Sequence, residues 1–165
     1  MELIVTVLAE DRPGVIESVA EVVARHHGSW QESRMAQLAG SFAGIISVQV
    51  PPAAAAQLSQ ELRGLRGTVV HIAEGTAIVP ATQRHTLQVV ANDRPGIVAE
   101  VAAALAAMGV NVAELATAVE PASMSGGTVF RARLDLGLTG QQQIEHVIAG
   151  LEGLSDDLMI DVVDG

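Results

Sequence analysis

A tetrapeptide that occurs twice fixes the outline of this chain. Asp11-Arg12-Pro13-Gly14 returns as Asp93-Arg94-Pro95-Gly96, and the flanking residues align without a gap when the sequence is slid by 82 positions. Val7 then falls on Val89, Ala9 on Ala91, Val19-Ala20 on Val101-Ala102, and Glu32 on Glu114. A repeat of this period means two copies of one supersecondary unit. The expected modules are residues 1–80 and 85–165, joined through Pro80-Ala81-Thr82-Gln83-Arg84, a short polar linker with a proline.

Periodicity gives each module the same order of elements. Leu3 to Leu8 reads as a mostly buried strand, and Val15, Ile16, Val19, Val22 and Val23 recur at helical spacing after the turn. His26-His27-Gly28 ends that helix, with Gly28 as the expected stop. Trp30 to Leu38 reads as a strand, Gly40-Ser41 as a turn, and Phe42 to Val50 as a half-buried strand with Ile46 and Val48 inward. Pro51-Pro52 breaks it. Leu58, Leu62 and Leu65 then mark a second helix, and Thr68 to Val79 a closing strand.

The second module repeats this. Leu87 and Val89 lie in its first strand, and Ile97, Val98, Val101, Leu105 and Met108 line its first helix, which Gly109 stops. Strands follow at 111–120 and around Phe130 to Leu136, separated by a loop from Pro121 to Gly127. Ile144 to Leu151 is helical, and Leu158 to Val163 is a last strand. The fold class is therefore α+β: two ferredoxin-like βαββαβ modules, each an antiparallel sheet with both helices on one face. Such a layer leaves one sheet face and an edge strand uncovered, so pairing between modules or between chains is expected.

The repeated turn carries the chemistry. Pro95, like Pro13, suits a first helical position, and Gly14 and Gly96 just behind leave room for a close approach. The first N–H groups of a helix have no intrahelical acceptor and lie at the positive end of its dipole, which favours a carboxylate. Asp11 and Asp93 either cap the helix or hold a ligand's ammonium group. Donors for an anion beside a carboxylate for a cation suit a zwitterion such as a free amino acid.

Composition narrows the function classes. Of 165 residues, 49% are hydrophobic and 17% charged, a globular composition without a membrane-length apolar run. A net charge of -10 argues against direct contact with nucleic acid, which demands a basic face. The absence of cysteine removes disulfides, a thiol nucleophile and thiolate metal sites. The N-terminal residues read as a strand with no basic segment, and a cytoplasmic location is expected.

Taken together, strand, Asp93-Arg94-Pro95-Gly96-Ile97-Val98, helix and Gly109-Val110-Asn111-Val112 resemble the ACT domain, a small-molecule-sensing module of amino-acid metabolism. Trp30-Gln31-Glu32-Ser33-Arg34-Met35-Ala36, Phe42-Ala43-Gly44-Ile45 and Pro121-Ala122-Ser123-Met124-Ser125-Gly126 are similar to the glycine cleavage system transcriptional repressor family. The resemblance implies a regulator rather than an enzyme, without a cofactor. It places an amino-acid ligand between two domains, at Asp93, Pro95, Gly96, Ile97 and Asn111 of the second module. In the first module the counterparts are Asp11 and Gly14, with Ile16 nearby, and Ser29 stands where the amide is expected. A hydroxyl cannot offer an amide's separate donor and acceptor, so the second module is the preferred site. The resemblance further implies glycine or a similar small amino acid as ligand. Its partner would be a LysR-type transcription factor, held until glycine relieves the contact, and homo-oligomers are expected. A stand-alone regulatory subunit of an amino-acid-metabolism enzyme remains open, since the same modules would serve it.

Other residues are expected to be structural. The five histidines, His26, His27, His71, His85 and His146, read as surface groups and no metal site is expected. Glu32 and Glu114 read as solvated strand residues, Trp30 as core or a pocket wall, and Met124 to Gly127 as a hairpin tip.

Overall fold

A computed structural model describes the chain except residues 78–79, 123–125, 141 and 164–165. The chain divides into two compact units, Met1–Ile78 and Val79–Gly165. The first contains β1 (Glu2–Glu10), α1 (Val15–Arg25), β2 (Ser29–Leu38), β3 (Ser41–Gln49), α2 (Ala55–Arg63) and β4 (Thr68–Glu74). The second contains β5 (Gln83–Asn92), α3 (Ile97–Ala107), β6 (Asn111–Pro121), β7 (Thr128–Leu138), α4 (Ile144–Glu152) and β8 (Met159–Val162). Sheet orders are β2-β3-β1-β4 and β6-β7-β5-β8, and every pairing is antiparallel. Each unit is thus a βαββαβ ferredoxin-like module. The linker expected at 80–84 is shorter, because Gln83 and Arg84 already belong to β5 and pair with Leu138 and Gly137.

Alternation selects the cores. In β1, Leu3, Val5, Val7 and Ala9 face inward and meet Val15, Val19, Val22 and Val23 of α1 and Leu58 and Leu62 of α2. In the second unit Leu87, Val89 and Ala91 of β5 and Phe130, Ala132, Leu134, Leu136 and Leu138 of β7 meet Ile97, Val101 and Leu105 of α3 and Val147 and Leu151 of α4. β-Branched residues make α1 a poor helix former in isolation, so its helicity depends on this packing. Two residues expected on helix core faces point elsewhere. Ile16 is 49% exposed and Val98 42% exposed, so the second residue of each helix lies at the margin of the core rather than in it.

The edge strands β2 and β6 are interrupted at the same step. The register shifts between Trp30 and Glu32 in one and between Val112 and Glu114 in the other, each marking a β-bulge with one extra residue. Beyond the bulge, Ser33, Met35 and Gln37 oppose Ile46, Gly44 and Phe42 on the helix-facing side. The corresponding set in β6 is Leu115, Thr117 and Val119, opposite Leu134, Ala132 and Phe130.

Turns depart from expectation at two places. The β2–β3 hairpin turns on Ala39-Gly40, not Gly40-Ser41, with φ of 48° and 79°, the paired positive values of a two-residue primed turn. At the end of α1 the left-handed residue is His27, φ 56°, whereas the matching residue of α3 is Gly109, φ 67°. Gly28 serves close packing instead: a Cβ there would sit 2.9 Å from Val23 Cγ1 and 3.2 Å from Val48 Cγ1. Because His27 bears a Cβ in a conformation that costs an L-residue about 1–2 kcal/mol, His27→Gly is expected to raise stability by about 1 kcal/mol. A urea titration checks this, and an unchanged or lower midpoint would refute it.

Candidate functional site

The first repeated turn leaves β1 at Glu10 and is pinned to the hairpin opposite, where the Asp11 N–H donates to the Gly40 carbonyl at 2.9 Å. Gly14 has φ 91° and ψ 0°, the third position of a type II turn, for which Pro-Gly is the favoured pair. Gly14 is therefore the residue preceding the helix, not one inside it, and Pro13 lies in the turn rather than at the first helical position. Its requirement for glycine is conformational: an added Cβ would meet only Glu17 Oε2, at 3.6 Å. The α1 N-terminus has no side-chain cap, and its first internal bond runs from Ser18 N–H to Gly14 O at 3.0 Å. The capping reading of Asp11 is thus overturned. The N–H groups of Val15, Ile16 and Glu17 have no intrahelical acceptor.

A crevice of about 460 Å³ opens at this turn, lined by Asp11, Arg12, Gly14, Ile16, Glu17 and Phe42 among others. Arg12 is exposed and donates to the Arg66 carbonyl at 3.3 Å. The crevice is lined by two carboxylates, Asp11 and Glu17, one guanidinium and a helix N-terminus. That combination can meet both ends of a zwitterion.

The second turn has the same backbone and different side-chain traffic. Gly96 has φ 91° and ψ -7°, and α3 likewise lacks a side-chain cap, so Asp93 is not a cap either. The Asp93 N–H donates to Thr128 O at 3.0 Å, and Thr128 Oγ1 donates to Asp93 Oδ2 at 3.3 Å. Arg94 forms a bidentate pair with Glu100, at 2.7 and 2.6 Å. That hydrogen bond holds the Glu100 carboxyl below its ordinary range. Asp157, bonded by the Ser155 hydroxyl and by Asn92 N–H at 3.0 Å, is also depressed. In the first unit Ser18 occupies the place of Glu100 and donates to Val15 O at 2.8 Å, so Arg12 lacks that internal carboxylate.

Asp93 and Asn111 do not converge within their unit. Asp93 joins β7 at Thr128 and Asn111 pairs with Gly137, nine positions along, which at ~3.3 Å per residue is about 30 Å. Asp11 and Ser29 are separated in the same way, at Gly40 and Gln49 of the hairpin strand. Pro95 and Gly96 are exposed beside Asp93, while the Ile97 side chain is buried in the core and contributes only its backbone to that surface. Ser29 and Asn111 are exposed.

The histidines are less uniform than the sequence implies. His26 is only 16% exposed and meets Glu61 Oε2 at 2.6 Å, while Arg25 meets Glu61 Oε1 at 2.8 Å, so one carboxylate ties α1 to α2. His85 has a buried Nε2 with no hydrogen-bond partner among the described residues. It lines a cavity of about 260 Å³ with Arg84, Thr86 and Asp135. No periodic signal marks either residue, since each depends on contacts made far along the chain. Among the described residues no three His, Asp or Glu side chains gather as a metal site. Glu32 is exposed beside Arg34 at 3.0 Å, Glu114 is exposed in the other unit, and Trp30 packs against the first core. Within the expected Pro121–Gly127 tip, Ser123, Met124 and Ser125 lie outside the described residues.

The ACT domain family matches residues 2–68 and, separately, residues 85–135. The chain belongs to the ACT-domain family. Two solved structures align with this chain over nearly its whole length. A crystal structure of an unknown protein from Galdieria sulphuraria is 27% identical, with a TM-score of 0.85, covering 98% of this chain and 96% of that one. A crystal structure provisionally assigned as a glycine cleavage system transcriptional repressor is 14% identical, with a TM-score of 0.73, covering 99% and 98%. The second of these likenesses is one of fold. A comparison with the curated proteins finds no match. Among the described residues no helix of this ACT protein is long and apolar enough to cross a membrane.

Proposed function

We propose that this tandem ACT protein is an amino-acid-responsive regulator that acts by contact with another protein. The observation that carries the reading is the crevice at Asp11. There a carboxylate, the Arg12 guanidinium and the uncapped N–H groups of α1 surround a volume of about 460 Å³. Asp11 holds the ammonium group, and Arg12 with the helix N-terminus receives the carboxylate. In its finer form the reading is that of a glycine cleavage system repressor. Glycine or a similarly small amino acid enters the crevice, and its arrival releases a LysR-type transcription factor. The net charge of -10 supports action without direct DNA contact, and the same reading has the protein work in the cytoplasm as a homo-oligomer.

Calorimetry with a panel of free amino acids tests the ligand. Saturable binding is expected, and Asp11→Ala is expected to weaken it by about 10- to 100-fold, the range for losing a charged hydrogen bond. No heat from any amino acid up to millimolar concentration overturns the sensor role. Asp93, Pro95, Gly96 and the Ile97 backbone form the corresponding proposed contact surface of the second unit, without Asn111 of that unit. Asp93→Ala in the same titration tells which turn is used. Co-purification tests the partner: recovery with a LysR-type factor supports repression. Recovery with an enzyme of amino-acid metabolism, and with no transcription factor, assigns a regulatory subunit.

A further inference from the structure

The second unit contains an apolar cavity of about 160 Å³ between α3 and the edge strand β6. Val98, Ala102, Leu115, Phe130, Ala132 and Leu134 are among its walls, and every lining side chain is apolar. Val98 and Leu115, 42% and 47% exposed, stand at the mouth, so the space communicates with solvent. A void of this size lined by hydrocarbon is one that water enters poorly and benzene enters well, since water would find no hydrogen-bond partners there.

The first unit shows what such a space accepts. Its residues at the matching repeat positions are Trp30 for Val112, Met35 for Thr117 and Gly44 for Ala132. Trp30 and Met35 both pack against the first core, and Met35 lies directly over Gly44, its Cγ 2.6 Å from where a Cβ on that glycine would be. One copy of the fold therefore fills this region with its own thioether and indole. The other has Val112 and Ala132 in the walls, with Thr117 paired to Ala132 just outside the lining, and leaves it open.

We propose that the second-unit cavity is a binding site for a small, uncharged apolar molecule, aromatic or branched-aliphatic, no larger than a benzene ring or a methionine side chain. The site is distinct from the crevice at Asp11. It offers nothing to an ammonium or carboxylate group, whose burial among hydrocarbon would be prohibitive. The bound group would replace the missing contacts of Phe130, Leu115 and Leu134 and join α3 to β6.

The test uses the full chain and benzene as probe, followed by methyl NMR. Saturable shifts are expected at Val98, Val101, Leu115 and Leu134, unaffected by saturating glycine. The double substitution Thr117→Met with Ala132→Gly, which installs the first unit's filling, is expected to weaken benzene binding at least tenfold. Val112→Trp, which installs the Trp30 equivalent, is expected to do the same. The two variants fail differently if folding is the difficulty, and the dispersion of the remaining methyl signals reports folding directly. Absence of saturable shifts in the wild type overturns the proposal. So does unchanged binding in a folded filled variant. So does self-association that protects Leu115 and excludes benzene, which would assign the cavity to a second copy's side chain. Failure here leaves the amino-acid titration untouched, because the two experiments read different cavities.

Discussion

Alanine at position 44 is expected to destabilise the first unit by about 2–3 kcal/mol. A Cβ there would lie 2.6 Å from the Arg34 carbonyl oxygen, 2.6 Å from Met35 Cγ and 3.0 Å from Met35 Cα. Methionine's flexible end can swing away, but a backbone carbonyl in a paired strand moves only with the strand. Met35→Thr, the combination the second unit uses opposite Ala132, is therefore expected to rescue Gly44→Ala only in part. Trp30, the single tryptophan, sits in this unit and reports its unfolding by fluorescence. A urea midpoint equal to that of the wild type would refute the close approach of β2 to β3.

Leu62→Ala is expected to have a larger effect, about 3–4 kcal/mol, and to act on one unit alone. Leu58 and Leu62 are both 0% exposed and, with Ala55, attach α2 to its sheet. The helix has nine residues, too few to persist in water without that attachment. The apolar cores of the two units are separate clusters with no shared member. The fluorescence of Trp30 is thus expected to melt early while far-UV circular dichroism retains a later transition from the second unit. A single coincident transition by both probes would mean that the two cores unfold as one.

The elements of both units are legible in the sequence because the dominant signals there are local. Alternation at Phe130, Ala132, Leu134 and Leu136, and helical spacing at Val15, Val19, Val22 and Val23, each reflect a face pressed against one neighbour. Pairing across the repeat then doubles every signal. What escapes is decided by partners far away in sequence. Ile16 and Val98 keep helical spacing yet stay half-exposed at the margin of the core. His27 takes a glycine's conformation, and the sequence places the stop one residue late for that reason. The candidate site was legible as a turn and not as a constellation. Asp11 and Gly14 do share a crevice. Asp93 and Asn111 lie at opposite ends of one sheet, a fact that register reveals and spacing does not.

The bulge shared by β2 and β6 sets what each recess can receive. A dislocation in a ladder sacrifices pairing, and in return it turns the residues beyond it to the other side. That odd step puts Trp30 and Met35, or Val112 and Thr117, on a common side. Large side chains there let one unit furnish its own recess, and smaller ones leave the other with a doorway.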